Sequence, residues 1–216
     1  MPSPRVSDTR ARSIDGTGKC PGWWREQWHF LQAMMANPLG VGAISPSSQA
    51  LAVAMTANLT PEVGRVLELG SGTGVFARHL VSRGFDPAQL VLVEQDPRLA
   101  QTLQRGLPGA TVLQVPAQEL DAHHPVLVGI TAVICGLPLR NMSQALQRQI
   151  LAALARVMAG EGVVYLFTYG LGCPIAPDLL TSCGWSAVRI QLVWRNLPPA
   201  SVYRLDRRVP ALRESV

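Results

Sequence analysis

The stretch LELGSGTGVF, residues 67–76, sets an acid, Glu68, just ahead of Gly70, Gly72 and Gly74. Alternate glycines permit a left-handed backbone and let a ligand approach closely. With Ser71 and Thr73 between them they read as the turn from a first strand into a first helix. In an open α/β sheet that turn lies at the carboxyl edge, where ligands bind. Glu94, 20 residues after Gly74, closes the next apolar run with Gln95 beside it. A carboxylate there accepts both hydroxyls of a ribose. A dinucleotide fingerprint needs glycine at 75, where Val75 stands. Glu68 suits the positive amino group of an amino-acid ligand better than a pyrophosphate. The alternative is a nucleotide-binding or purely structural turn.

A second constellation is CGLPLRN, residues 135–141. Pro138 lacks an N–H and biases Leu137 toward an extended conformation. That leaves backbone carbonyls at the strand end to accept the N–H bonds of a nitrogen substrate. FTYG, with Tyr169, and the segment Trp194-Arg195-Asn196 converge on the same edge. GAISPSS, residues 42–48 with Ser47, precedes the sheet and closes over the site.

These residues need a scaffold. The apolar runs RVLEL, QLVLVEQ, TVLQV, TAVIC, GVVYLFTY, SAVRIQLVW and SVYRLD punctuate the chain after Pro61. The first five are joined by segments long enough for helices, including VFARHLVSRG, DPRLAQTLQRG and SQALQRQILAALARVMAG. Alternation of nearly continuous apolar strands with helices predicts a parallel sheet covered on both faces. Only RNLPPA separates the last two runs, so they form a hairpin and the final strand is antiparallel. The expectation is a Rossmann-like α/β fold with a seven-stranded sheet, six strands parallel and the last antiparallel.

Ahead of it, residues 1–20 are polar and read as disordered. Residues 21–60 read as N-terminal helices, one over about 22–37 and one from Ser47 or Ser48 through SSQALAVAMTANL. The domain proper is expected over 61–210. In the first helix Trp24, Trp28, Leu31 and Met35 fall at i, i+4, i+7 and i+11, and Trp23 widens the face. This amphipathic extension carries three of the five tryptophans, which suit a membrane interface because the ring is apolar and the N–H stays wet. The competing reading is a helix packed on the sheet or on a second copy.

The 216 residues, 48% of them hydrophobic, suit a single large core. No apolar run reaches the roughly 18–20 residues that span a bilayer, and no secretory signal is visible. Cys20, Cys135, Cys173 and Cys183 show neither a CxxC pair nor metal-ligand spacing with the histidines, so no metal is expected. The net charge of +5 sits at the ends: residues 61–184 hold 8 Arg against 9 acids. That asymmetry points to an anionic partner, the phosphate of a membrane surface or of a nucleic acid.

The spacing ExGxGxG, with Glu94 downstream, resembles the first motif and ribose acid of S-adenosylmethionine-dependent class I methyltransferases. The resemblance implies S-adenosylmethionine as cofactor and S-adenosylhomocysteine as product. Gly70, Ser71, Gly72, Thr73, Gly74, Glu68, Glu94, Gln95, Gly136 and Ser47 would surround it. The usual adenine-binding Asp is missing from VLQVPAQEL. Pro116 and Ala117 occupy its place, and Gln118 is the substitute partner. GLPL resembles the Asn-Leu-Pro-Tyr signature of ribosomal RNA adenine dimethylases, with Gly136 for the Asn and Leu139 for the Tyr. The aromatic that would stack on a flipped base is gone, which disfavours adenine.

Taken in order, NPLGVGAISPSS, LELGSGTGVF, GLPLRN, FTYG and VWRNLPPASVYR are similar to bacterial phosphatidylethanolamine N-methyltransferases, over roughly residues 28–207. This implies N-methylation of a lipid amine towards phosphatidylcholine. Tyr169 would accept or relay the proton or face the growing cation. The Leu137 carbonyl and Asn141 would orient the nitrogen beside Pro138. Arg195, with Trp194, would hold the lipid phosphate. Trp23, Trp24, Trp28 and Leu31 would contact anionic lipids. The implied setting is a cytoplasmic monomer at the inner face of the membrane, without nucleic acid. Another amine lipid such as an ornithine lipid, RNA adenine, and a non-catalytic cofactor-binding module are the alternatives.

Overall fold

The computed structural model describes residues 46–196 and 198–207. The tryptophan-rich segment with Trp23, Trp24, Trp28 and Leu31 and the polar stretch 1–20 lie outside them.

Seven strands form one sheet: β1 (Arg65–Leu69), β2 (Leu90–Val93), β3 (Thr111–Leu113), β4 (Ile130–Cys135), β5 (Met158–Tyr169), β6 (Trp185–Val193) and β7 (Ala200–Arg207). Their spatial order is β3-β2-β1-β4-β5-β7-β6. The first five pair in parallel, and β7 runs antiparallel to both β5 and β6, so six strands share one direction. The short 194–199 connection forces the reversal, and β7 slots between β5 and β6 with Val193 opposite Ala200 and Ala200 opposite Tyr169.

Among the described residues five α-helices cover the sheet: α1 (Pro46–Thr56), α2 (Val75–Ser82), α3 (Pro97–Gly106), α4 (Gln144–Val157) and α5 (Pro177–Ser182). The period of two along each strand splits the core into two layers. Val66, Ala132, Ile134, Tyr165 and Phe167 meet α1, α2 and α3 through Leu51, Met55, Phe76, Leu80 and Leu103. Leu67, Leu69, Val133, Cys135, Val164 and Leu166 meet α4 and α5 through Ile150, Leu151, Leu154, Leu179 and Leu180. Helix starts are set by their caps. The Asp96 carboxylate accepts the N–H groups of Arg98 and Leu99 ahead of Pro97, and Ser143 accepts that of Leu146.

Three local expectations need revision. The run SQALQRQILAALARVMAG is not helical to its end. Met158 is already extended (φ −82, ψ 137), and β5 starts there. No helix joins β3 to β4. That link contains only the short turns Ala117–Glu119 and Pro125–Leu127, each with a proline at or beside its first position. Helix α1 stops at Thr56, short of Leu59.

Candidate active site

At the carboxyl edge, β1 gives way to the glycine turn. The N–H groups of Gly70 and Ser71 both donate to the Val93 carbonyl, at 2.9 and 3.1 Å, which seats the turn on the end of β2. Gly74 caps α2 in the left-handed region (φ 77), and a Cβ there would stand 2.7 Å from Leu103 Cδ2. Gly136, first residue past β4, backs directly onto the turn. Its N–H donates to the Leu69 carbonyl, and an added Cβ would lie 3.0 Å from the Gly70 oxygen. Only glycine at 136 leaves this floor unshifted.

Glu94 spans the gap between the turn and β2. It is buried, and Oε2 accepts the Gly72 N–H at 2.8 Å while Oε1 accepts the Asp96 N–H at 2.9 Å. Burial raises its pKa, and the N–H groups of Asp96 and Gly72 oppose that rise. Each oxygen keeps acceptor capacity for a ribose hydroxyl. The surrounding cavity collects the other adenosine-side residues: Gln95, Ala117 and Gln118, with Val115, Met142, Leu146 and Ile150 as an apolar slot. The slot offers aliphatic surfaces against which a flat ring could stack, with the Gln118 amide as a polar group at its edge.

The larger cavity adjoins this one through Gly70, Leu137 and Pro138. It brings together Gly70 to Thr73, residues 136–141 and Tyr169 from three separate strand ends. Phe76 and Phe167 supply its wall, and Phe167 packs edge-on against both Phe76 (6.1 Å between centroids) and Tyr169 (5.6 Å). Burial raises the pKa of the Tyr169 phenol, opposed by a hydrogen bond with Asn196. The phenol is therefore neutral near pH 7.

Leu137 departs from the sequence reading. Its carbonyl already accepts the Leu139 N–H at 2.8 Å, across an inverse γ-turn at Pro138 (φ −77, ψ 62). One lone pair remains for a ligand, so proline creates a shared acceptor here, not an orphaned one. Asn141 lines the same cleft. Gln147, buried at the start of α4, holds this loop by donating Nε2 to the carbonyls of Leu139 and Pro174, at 2.6 and 3.2 Å.

Glu68 lies beneath the turn and lines neither cavity. It is buried, and neither carboxylate oxygen has a hydrogen-bond partner. Desolvation pushes its pKa up to about 8; the Ala77 N–H offsets this in part without closing a bond of good geometry. Gly74 sits behind the turn. Ser47 falls on α1. Trp194 and Arg195 do not reach the cleft. They line a separate groove with Val53 of α1 and Gln191 of β6, and Trp194 is 73% exposed. Asn196, their neighbour, turns inward: it is buried, bonds Tyr169, and donates to the Pro198 carbonyl at 2.7 Å.

Two participants were not singled out as site residues: Arg140, and Asn196, which was placed at this edge only as part of its segment. Arg140 lines the cleft, with Nε donating to Thr168 Oγ1 at 3.1 Å and Nη2 to the Gly172 carbonyl. Among the described residues no three His, Cys, Asp or Glu are grouped to hold a metal ion, and no helix is long and apolar enough to cross a membrane.

The donors present fit S-adenosylmethionine. A buried, unpartnered carboxylate and a helix start flank the glycine turn, a second carboxylate has spare acceptors, and Gly136 keeps the floor clear. The fold is that of class I methyltransferases, and the likenesses to known proteins are to S-adenosylmethionine-dependent methyltransferases. A family model described as ribosomal RNA adenine dimethylase matches residues 49–127. The chain is 26% identical over 180 residues to an ornithine lipid N-methyltransferase of Singulisphaera acidiphila, covering 81% of this chain and 92% of that one. It is 38% identical over 73 residues to ribosomal RNA small subunit methyltransferase A of Deinococcus radiodurans, covering 34% and 24%. Among solved structures it resembles a Burkholderia thailandensis 1,6-didemethyltoxoflavin N1-methyltransferase with bound S-adenosylhomocysteine (TM-score 0.61, 15% identity, 86% of each chain). It also resembles the magnesium protoporphyrin IX methyltransferase of Synechocystis (TM-score 0.61, 12% identity, 86% and 96%).

Proposed function

We propose that the protein N-methylates the amine of a lipid headgroup, with an ornithine lipid ahead of phosphatidylethanolamine. The observation that supports this is coverage. The lipid N-methyltransferase aligns over 81% of the chain, whereas the match to RNA adenine dimethylases ends at residue 127, before β4 and the 136–141 loop. The RNA likeness is confined to the cofactor half. Leu139 and the aliphatic slot also give no aromatic platform for a flipped base on that loop.

S-adenosylmethionine supplies an electrophilic methyl group for in-line displacement, so the protein's task is largely positioning. The glycine turn and Glu94 hold the cofactor, and Glu68, buried beneath the turn and protonated in the unliganded protein, ionises when the cofactor's ammonium pairs with it. The free lone pair of the Leu137 carbonyl and Asn141 orient the amine nitrogen. Tyr169, neutral and tied to Asn196, passes a proton onward or offers its ring face to the cation that forms. Its raised pKa disfavours loss of its own proton as the driving step. Trp194 and Arg195, outside the cleft, fit contact with lipid beyond the headgroup, together with the tryptophan-rich segment around Trp24. The expected setting is the surface of an anionic membrane.

The test is transfer of labelled methyl from S-adenosylmethionine to liposomes containing an anionic lipid and either ornithine lipid or phosphatidylethanolamine. Label in the ornithine lipid is the expected result. Label in phosphatidylethanolamine alone reverses the order of the two. Label in neither, with cofactor binding intact, sinks the lipid reading.

A further inference from the structure

Arg140 is the sole charged side chain among the described residues lining the larger cleft. No carboxylate among the described residues pairs with it; the single ion pair found there is Arg204–Asp206. Its guanidinium is not loose. Nε is fixed on Thr168 Oγ1, a buried hydroxyl on β5, and Nη2 on the Gly172 carbonyl just beyond. One anchor on the strand that also carries Tyr169 and one just past its end set the plane of the fork, which lowers the entropy lost when it grips a ligand. Arginine in such a frame matches the two oxygens of a carboxylate or phosphate.

We propose that Arg140 is the specificity-determining residue of the cleft, holding the anionic group of a zwitterionic amine substrate so that its nitrogen reaches Leu137 and Asn141. The proposal rests on the reading of the cleft as an amine-methylation site. The shared ligand chemistry is an amine a few bonds from a resonance-delocalised anion. An ornithine headgroup presents a carboxylate, and a phosphoethanolamine headgroup presents a phosphate. A fixed cation in the same cleft also favours the neutral, nucleophilic form of the amine. Arg195, which lies in the other groove, is not needed for this grip.

Soluble headgroups separate this inference from the lipid reading. Protein loaded with S-adenosylhomocysteine is titrated with Nα-acetylornithine, glycerophosphoethanolamine and n-propylamine, followed by NMR. Wild type is expected to bind at least one zwitterion more tightly than the simple amine. Arg140→Gln is expected to weaken that binding about 10-fold or more, with propylamine bound no more weakly than by wild type and S-adenosylhomocysteine binding unchanged. Arg140→Lys, charged but without the fork, should fall between. The tighter zwitterion tells carboxylate from phosphate. Equal binding of all three ligands by wild type, or no loss in Arg140→Gln, overturns the proposal. Headgroup binding that depends on Arg140, alongside no transfer to any liposome, would keep the anion grip and discard the lipid.

Discussion

Glu68 makes the stability of the unliganded protein depend on pH. Its carboxyl is desolvated, and its pKa rises from 4.5 to about 8 in the folded state. Between those values the unfolded chain has released the proton while the folded chain keeps it. The unfolded state then binds fewer protons, so stability falls as pH rises, by about 1.4 kcal/mol per pH unit. The loss is absent below about pH 4.5, reaches about 3 kcal/mol at pH 7, and levels off near 5 kcal/mol above pH 8. Against the ~5–15 kcal/mol that holds a domain together, that is large. Glu68→Gln keeps the shape and cannot ionise. Urea unfolding of both proteins at pH 5 and pH 8 reads the difference directly. The variant is expected to match wild type within about 1 kcal/mol at pH 5 and to exceed it by several at pH 8. Parallel stability curves for the two proteins across that range would refute the reasoning.

Three further outcomes follow from the site. Glu94→Ala removes the acceptor of the Gly72 and Asp96 N–H groups and the carboxylate proposed to hold the ribose; calorimetry should show cofactor affinity down about 10-fold or more. Gln147→Leu strips the Leu139 and Pro174 carbonyls of their donor and should destabilise by about 1–3 kcal/mol in thermal unfolding. Tyr169→Phe keeps the ring and loses the hydroxyl; if the neutral phenol only relays or faces the cation, methyl transfer falls less than about 10²-fold and the alkaline limb of its pH profile does not move.

The glycine turn was legible because its backbone geometry leaves little freedom. Gly70, Gly72 and Gly74 announce a tight turn with the Glu94 carboxylate set against it, and the strand ends assemble them as the alternation of apolar runs implies. The six-residue connection likewise betrayed the antiparallel β7. Substrate-side residues were harder to read, because adjacency in sequence says little about direction at a turn. Arg195 and Asn196 are neighbours, yet one faces an outer groove and the other is buried against Tyr169. Arg140 gains its meaning from Thr168, 28 residues away. The Leu137 carbonyl depends on a γ-turn that proline permits but does not dictate. Nothing in VMAG marks where α4 yields to β5, since Met158 and Ala159 suit a helix as well as a strand.

The position of β7 bears on how the chain is made. Synthesis runs from β1 toward β7, but β7 belongs in the interior of the sheet, between β5 and β6. Until Ala200–Arg207 leave the ribosome, β5 presents a bare row of amides and β6 has no neighbour to pair with. Both are exposed to capture by other nascent chains over that interval. Of the described elements, a stop codon placed just ahead of Ala200 would remove only β7, yet it would cut β6 off from the rest of the sheet.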